Sequence, residues 1–361
     1  MTYRAAIVGT GGIAASHIAA LRGRSDVTAA AAIDVADDRV HEFARNWEIP
    51  RTFTSLTDAL ASEDIDVIHL CTPPATHLPL AREALAGGVH VLLEKPPALS
   101  LAEHHELISA VDSSTATASV IFQHRFGSGA TALRQLASTG KLGKPTVTTC
   151  DTQWYRDDAY YAVPWHGTWA AEGGGPTMGH GIHQFDLMLS VLGRWEQVSS
   201  MTARRTRPVE TEDISAAVVR FASGALATVV NSVVSPRQES RLRFDFEFAT
   251  IELVHLYGYD DSAWTFTPAP GHEELAETWG DLLTGRPSGH AAQFDDYYRA
   301  LAAGRVPEVS ARNALHTLEF AAAIYASAAQ NRAVSCTELT SSSAVWRSMN
   351  PGRTARAAAS A

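Results

Sequence analysis

Short apolar runs alternate with helix-like segments through the first third of the chain. Residues 4–8 and 27–33 are apolar runs of strand length, and residues 15–21 between them have the periodicity of a helix. The alternation continues with strands at 65–71, 89–93 and 116–122 and helices at 78–86 and 101–111. Repeated βα units of this length predict an α/β fold with a parallel, doubly wound sheet covered on both faces.

One of these strands stops at a pair of charged residues. Glu94 and Lys95 follow the apolar residues 91–93, and Pro96 and Pro97 cannot donate to a sheet ladder, so we expect the strand to end at Lys95. The carboxyl ends of parallel strands form the ligand crevice of an open α/β sheet. Lys95 could exchange a proton with a substrate hydroxyl there. The alternative is a surface Lys–Glu pair beside a turn.

The pattern changes after residue 122 to apolar–polar alternation. It covers residues 147–153, 216–221 and 225–230, and further strands are predicted at 244–253 and 264–267. Consecutive strands of this kind predict an α+β domain with a large open, mostly antiparallel sheet. We therefore predict a first domain at 1–122, a second at 123–340 and a peripheral tail at 341–361.

Composition narrows the class of function. The chain has 361 residues, 45% of them hydrophobic and 19% charged, which is typical of a folded two-domain protein. Its formal net charge of -10 argues against nucleic acid or an anionic membrane as a partner. Cys71, Cys150 and Cys336 are too far apart for metal-ligand spacing and suit a reducing compartment. We expect a soluble, cytoplasmic protein, because the N-terminus runs directly into a strand and the most apolar stretch, 214–234, reads as a hairpin.

A glycine-rich turn follows the first strand. Gly9, Gly11 and Gly12 precede Ile13 and the small Ala14. In a strand–turn–helix unit, the first glycine permits the tight turn and the second lets the backbone approach a pyrophosphate. The N–H groups at the start of the helix favour that anion. The pattern predicts a Rossmann-type dinucleotide site.

The second strand bears on the choice of cofactor. It ends at Asp34, 20 residues after Ala14, where an acid can bind the ribose hydroxyls of adenosine. Residues 35–38 bring no Arg or Lys and two aspartates, so a ribose 2′-phosphate would meet mainly negative charge. We predict NAD(H) as the cofactor, with NADP(H) less favoured.

Three segments together resemble one enzyme family. In order and spacing, the glycine turn at 9–14, the loop from Thr72 to His77 and the run Glu94-Lys95-Pro96 resemble the glucose-fructose oxidoreductase and inositol dehydrogenase family (Gfo/Idh/MocA). The resemblance extends to the second domain, whose sheet would form the face of a homodimer or homotetramer. It implies these cofactor-binding residues: Gly9, Gly11, Gly12, Ile13, Asp34, Thr72, Pro73, His77, Glu94, Lys95 and Gln123.

A second glycine-led segment, residues 173–186, carries the other candidate for proton transfer. The family resemblance implies that His183 faces the nicotinamide and forms an acid/base pair with Lys95, and a histidine titrates near operating pH. His183 also stands three residues before Asp186 on a helix predicted over 180–192, so the two lie on neighbouring parts of one face.

One position departs from the family pattern. Many members carry an aspartate four residues before that histidine, and here the residue is Gly179. Either His183 works with Lys95 alone, or His180 supplies part of the missing polarity. A metal site at His180 is the weaker hypothesis, since no clear third and fourth ligand accompanies it, and we predict no metal.

An aromatic and charged stretch, residues 154–169, suggests the kind of substrate. Aromatic faces and hydrogen-bonding charges suit a polyhydroxylated ring, whereas the alternative is an ordinary loop held by buried tryptophans. The predicted substrate contacts are Lys95, Arg125, Trp154, Arg156, Tyr160, His180 and His183.

The predicted activity is an NAD(H)-dependent oxidoreductase acting on a sugar, nucleotide sugar, cyclitol or related polyol. Two alternatives remain at this point. One is a glycosidase- or lyase-type enzyme that retains NAD and oxidises its substrate only transiently, and the other is a non-catalytic NAD-binding sensor. The sequence does not identify the oxidised carbon or the physiological direction.

Overall fold

The computed structural model describes residues 2–350, which divide into two compact units. The first unit contains the residues up to Ala98, Glu103–Ile121 and Gln293–Leu315, and the second contains the remainder. The short segment 99–102 groups with the second unit, and residues 293–315 group with the first. The division into domains at residue 122 remains a prediction. Residues 351–361 of the predicted tail lie outside the described residues.

The first third of the chain forms alternating strands and helices. Their bounds are β1 Tyr3–Val8, α1 Ala14–Arg22, β2 Val27–Ile33, α2 Asp37–Trp47, β3 Arg51–Phe53, α3 Leu56–Ser62, β4 Val67–Leu70, α4 His77–Ala86, β5 His90–Leu93, α5 Leu101–Asp112 and β6 Ala118–Val120. The six strands pair in the order β3-β2-β1-β4-β5-β6, all parallel. This is the doubly wound arrangement that the alternating pattern predicted.

Apolar residues of both strands and helices form the core of the first unit. Ile7 and Val67 are fully buried in the central strands, and α2 buries Val40 and Phe43, which are three residues apart on one helix face. The core also includes Phe294, from a helix near the C-terminus. Because the sheet is covered by helices, its strands are mostly apolar, and buried polar side chains inside them, such as His69 in β4, are exceptions.

The remainder of the chain contains helices and a second sheet. The bounds are α6 Ser128–Ser138, β7 Pro145–Tyr155, α7 Asp158–Tyr161, α8 Ile182–Leu192, β8 Trp195–Ala203, β9 Ile214–Phe221, β10 Leu226–Ser232, β11 Val234–Phe246, β12 Ala249–His255, β13 Trp264–Pro268, α9 Glu274–Leu282, α10 His290–Ala302, α11 Ala311–Gln330 and β14 Val334–Ser335. The strand order is β13-β12-β11-β7-β10-β9-β8-β14, antiparallel except for the parallel pair β7 and β10. The predicted large, mostly antiparallel sheet is confirmed.

Three local predictions need correction. The stretch 244–253 is not one strand but the hairpin of β11 and β12, turning at residues 247–248. Strand β5 ends at Leu93 rather than at Lys95, so Glu94 and Lys95 already belong to the loop. The helix predicted from His180 begins instead as a π-helical turn, Thr177–Gly181, which leads into α8.

No helix within residues 2–350 is both long and apolar enough to cross a membrane.

Candidate active site

The glycine turn between β1 and α1 has the geometry that a dinucleotide pyrophosphate requires. Gly9 has φ +88°, and a Cβ on it would lie 2.7 Å from Thr72 Cγ2 and 2.9 Å from the Cys71 carbonyl oxygen. A Cβ on Gly11 or Gly12 would meet no atom within 4 Å. Helix α1 begins after Ile13 without a side-chain cap, and the helix dipole favours an anion at this end. These residues fit the pyrophosphate of NAD.

Asp34 lies directly after β2 and is held by several donors. Its Oδ2 accepts hydrogen bonds from Thr10 N at 2.8 Å and Thr10 Oγ1 at 2.9 Å, and its Oδ1 accepts one from Ala36 N at 3.0 Å. Arg39, in the first turns of α2, donates to both oxygens. Burial acts to raise the pKa of Asp34, but these hydrogen bonds outweigh it and lower the pKa to about 2. The carboxylate is therefore ionised at every physiological pH.

Arg39 is a residue that the sequence argument overlooked. Residues 35–38 predict mainly negative surroundings for Asp34, whereas the structure pairs Asp34 with the Arg39 guanidinium. A helix begins at Asp37, so its second and third residues can turn back toward the end of β2. The spacing of Asp34 and Arg39 across a strand–helix boundary was the available signal.

The loop after β4 is attached to the loop after β5 through His77. His77 is fully buried, with Nε2 2.9 Å from the Thr72 carbonyl oxygen and Nδ1 3.0 Å from the Pro96 carbonyl oxygen. Burial lowers the pKa of His77, so the ring is neutral and donates to one carbonyl at a time. His77 thus positions Thr72 and Pro73 at the same sheet edge as Lys95.

Glu94 connects Lys95 to a chain of buried polar side chains. The Glu94 Oε2 accepts a hydrogen bond from the Lys95 N–H at 3.2 Å, and Oε1 lies 3.0 Å from His17 Nε2. His17 Nδ1 lies 3.0 Å from His69 Nδ1, and His69 Nε2 lies 2.8 Å from the Tyr298 hydroxyl. If Tyr298 donates to His69, each successive ring can donate onward and the chain ends on the Glu94 carboxylate. Sequence reasoning missed His17, His69 and Tyr298, which look like ordinary helix and strand positions.

In the second unit, His183 lies on α8 within a group of aromatic rings. It is 2% exposed and stacks on His124, with ring centroids 4.8 Å apart and planes at 28°. The rings of Phe122 and Tyr257 meet it edge-on at 6.5 Å and 6.0 Å. Gln123 donates to the Tyr257 hydroxyl at 3.0 Å. The imidazole is therefore fixed in orientation, as a proton-transfer group needs to be.

Asp186 has a different partner from the one its spacing suggested. It is fully buried and accepts two hydrogen bonds from Arg125, one of them 2.7 Å long, and one from Thr317 Oγ1 at 3.0 Å. The predicted substrate residue Arg125 therefore uses at least two of its N–H groups in an ion pair with Asp186.

The aromatic stretch forms a cluster around Arg156. Its Nε donates to His180 Nε2 at 3.0 Å, and its guanidinium lies over the rings of Trp154 at 4.7 Å and Tyr160 at 5.2 Å. Tyr160 stacks on His166 with ring centroids 3.9 Å apart. Since an arginine N–H can only donate, His180 Nε2 is the acceptor and carries no proton. The structure thus brings together Trp154, Arg156, Tyr160 and His180.

Two buried glutamates near α8 were not among the site residues predicted from the sequence. Glu212 accepts hydrogen bonds from Gly175 N at 3.1 Å, Thr177 N at 3.2 Å and the Tyr325 hydroxyl at 2.8 Å, so it caps the start of the π-helical turn. Glu172 accepts one from Gly167 N at 2.7 Å. Their partners are remote in sequence or on a loop, and no spacing rule connects them to His183.

The parallel sheet and the glycine turn are those of an NAD-binding oxidoreductase, and comparison with known proteins identifies the family. Residues 3–122 match the model of the oxidoreductase family with an NAD-binding Rossmann fold, and residues 130–252 match the GFO/IDH/MocA C-terminal domain. The matches cover more than half of the chain, which therefore belongs to the GFO/IDH/MocA family.

The relatives are distant in sequence and close in fold. The uncharacterized oxidoreductase YrbE of Bacillus subtilis is 28% identical over 236 residues, spanning 63% of this chain and 66% of that protein. Myo-inositol 2-dehydrogenase of Thermotoga maritima is 26% identical over 236 residues, spanning 63% and 68%. The crystal structure of the WlbA dehydrogenase from Bordetella pertussis, in complex with NADH and UDP-GlcNAcA, has a TM-score of 0.83 and 26% identity over 92% of this chain and 97% of that one.

Proposed function

We propose that this protein transfers a hydride between NAD and a ring carbon of a sugar, nucleotide sugar, cyclitol or related polyol. One observation carries the proposal. Strands β1, β4 and β5 are neighbours, and their carboxyl ends bring the glycine turn, the Thr72 loop and Glu94-Lys95 to one edge of the parallel sheet. That edge is where ligands of doubly wound sheets bind.

Lys95 is proposed to bind the reacting oxygen of the substrate, and His183 to take its proton. NAD, when bound, accepts the hydride at the nicotinamide. Lys95 is half-buried, and its backbone N–H donates to the Glu94 carboxylate. This hydrogen bond restrains the loop that carries the Lys95 ammonium. It polarises the substrate oxygen by hydrogen bonding, while the buried His183 removes the hydroxyl proton and returns it in the opposite direction.

We propose the remaining cofactor and substrate contacts from the position of each side chain within its own unit. Gly11, Gly12 and Ile13 would bind the pyrophosphate through backbone N–H groups, with Gly9 forming the turn. Asp34 would accept the adenosine ribose hydroxyls. Thr72, Pro73, Glu94 and Gln123 would hold the nicotinamide side, with His77 positioning that loop. The substrate ring would meet Trp154, Arg156, Tyr160 and His180, with Arg125 supporting α8 through Asp186.

The second sheet is proposed to mediate a homodimer or homotetramer. In β9, Ala217, Val219 and Phe221 are buried while the alternate Val218 is 55% exposed. Met201 on β8 is 80% exposed and Leu226 on β10 is 47% exposed. One face of the sheet thus packs on its own unit while the other presents apolar side chains.

The test is a substrate screen that follows NADH absorbance with sugars, inositols and sugar nucleotides, using wild type and His183→Ala. We expect turnover by the wild type that falls at least about 100-fold in the variant, because general base catalysis contributes that much. NADH binding should be retained in the variant. Turnover that survives the substitution would assign the proton transfer to another residue.

The same screen separates the alternatives. NAD that stays bound through purification, with substrate cleavage and no net NADH signal, would indicate the transient-oxidation enzyme. Tight NAD binding with no chemistry, and a biological activity that persists in Lys95→Ala, would indicate a sensor. Either outcome contradicts the dehydrogenase.

A further inference from the structure

A buried carboxylate lies against the helical turn at Gly179. A Cβ built on Gly179 would stand 3.0 Å from Glu172 Oε1 and 3.8 Å from Glu172 Cδ. Glu172 is 6% exposed and is anchored through Oε2 to the Gly167 N–H. A side chain at position 179 would therefore push against the carboxylate, so the glycine provides the space that Glu172 occupies.

This places the negative charge one helical turn before His183. Gly179 lies in the π-helical turn that leads into α8, four residues before His183, and positions four apart share a face of a helix. Helical side chains also lean toward the N-terminus, over the preceding turn. The Glu172 carboxylate thus borders the helix face that carries the imidazole.

The charge of Glu172 also reaches the aromatic stretch. Burial and then Glu172 raise the pKa of Tyr160, and the same two causes raise the pKa of Tyr161 to about 12. Tyr160 is part of the cluster around Arg156 and His180. One carboxylate therefore faces both the His183 helix and the side chains that we propose for the substrate.

We infer that Glu172 is the acid that assists His183 in the proposed reaction. The inference rests on the proposed function. Oxidation breaks the C–H and O–H bonds of the alcohol; the hydride leaves with the cofactor, and the proton passes to the His183 imidazole. The Glu172 carboxylate stabilises the resulting imidazolium through its charge. It is a positioning residue, because it acts through His183. The glycine that replaces an acid at position 179 is thereby explained, since the acid comes from residue 172 instead.

Glu172→Gln tests the charge while keeping the shape. Its amide oxygen can still accept from Gly167 N, so we expect an unchanged melting temperature, NADH affinity and substrate KM, and a kcat at least about tenfold lower. Glu210→Gln is the matched control: Glu210 is an exposed carboxylate that accepts a hydrogen bond from Trp169 N in the same region. It should retain the wild-type kcat. A Glu172→Gln kcat within twofold of wild type would overturn the inference.

Moving the carboxylate from residue 172 to residue 179 distinguishes a role of its charge from a role in anchoring the loop. Glu172→Ala opens the space at position 179, and Gly179→Asp added to it returns an acid to the helix turn. We expect the double variant to recover at least about tenfold in kcat over Glu172→Ala. A folded, NADH-binding double variant without recovery would show that Glu172 only anchors its loop and would overturn the inference. If wild type oxidises no substrate, the proposed function itself is contradicted and this inference falls with it; if wild type turns over and only the Glu172 predictions fail, the proposed function stands.

Discussion

Arg39 forms a two-point ion pair with Asp34, the residue proposed to bind the adenosine ribose. The guanidinium donates from both Nε and Nη2, and Thr10 and Ala36 bring the number of hydrogen bonds on the carboxylate to five. A carboxylate has about four acceptor sites, so ribose hydroxyls can bind Asp34 only by displacing a donor. Arg39, whose side chain is 55% exposed, is the donor able to move.

Replacing Arg39 should sharpen the preference for NAD. A displaced guanidinium would stand beside the ribose and favour a 2′-phosphate, so Arg39→Gln should raise the ratio of kcat/KM for NAD over NADP by about tenfold. Arg45→Gln, an exposed arginine on the same helix, is the control and should leave the ratio unchanged. Equal ratios in wild type and Arg39→Gln would show that Arg39 does not influence cofactor choice.

Two glycines of the same turn should respond differently to alanine. Gly11→Ala adds a methyl group where no atom lies within 4 Å, so thermal stability should be kept while NADH affinity falls at least about tenfold, because the backbone can no longer approach the pyrophosphate. Gly9→Ala forces a side chain onto φ +88° and against Thr72 and Cys71, so it should lower the melting temperature itself. Calorimetry and NADH fluorescence titration measure both. An NADH affinity for Gly11→Ala equal to wild type would exclude the proposed pyrophosphate site.

The buried chain that ends on Glu94 should contribute to stability. Tyr298→Phe removes the hydroxyl that lies 2.8 Å from His69 Nε2 and should cost about 1–2 kcal/mol of unfolding free energy. Tyr297→Phe is the neighbouring control: Tyr297 is 1% exposed, and within residues 2–350 its hydroxyl has no hydrogen-bond partner. Loss of the Tyr297 hydroxyl should leave the free energy of unfolding unchanged or raise it slightly. Urea unfolding compares the two, and equal effects would mean that the hydrogen-bonded chain adds nothing.

Acid should destabilise the protein through buried histidines. Burial lowers the pKa of His104 and of His255 to about 4, whereas each would titrate near 6.5 in the unfolded chain. Between these values the unfolded state binds more protons, so stability is full above about pH 6.5 and falls as the pH drops toward 4. The loss approaches about 3 kcal/mol per histidine.

The histidine contributions can be removed one at a time. His104→Gln and His255→Gln should each flatten the dependence of unfolding free energy on pH between 6.5 and 4. His41→Gln, an exposed histidine of α2, should leave it unchanged. If both variants keep the wild-type dependence of unfolding free energy on pH, burial of these histidines is not the cause of the acid destabilisation.

Local patterns predicted the sheets because each sheet has one simple pattern of burial. The first sheet is covered on both faces and reads as apolar runs, and the second alternates because one face is exposed, as β9 shows with buried Val219 and exposed Val218. The hairpin at residues 244–253 was missed because its two-residue turn, 247–248, contains neither glycine nor proline.

Long-range partners in the candidate site could not be predicted. The glycine turn and Lys95 have local signatures, but Glu212 caps a helical turn that begins 35 residues before it. Such pairs depend on packing between segments that the periodicity of one segment does not describe. Arg39 was within reach, since it stands five residues after Asp34.

We propose that Lys95, in the loop that follows β5, is required for hydride transfer. The most direct measurement is single-turnover NADH formation by wild type, Lys95→Met and the exposed control Lys141→Met, with NADH affinity measured on each. We predict that Lys95→Met slows the step about 100-fold or more while NADH affinity changes less than about threefold, and that Lys141→Met matches wild type. A Lys95→Met protein that forms NADH at the wild-type rate would show that Lys95 is not required for hydride transfer.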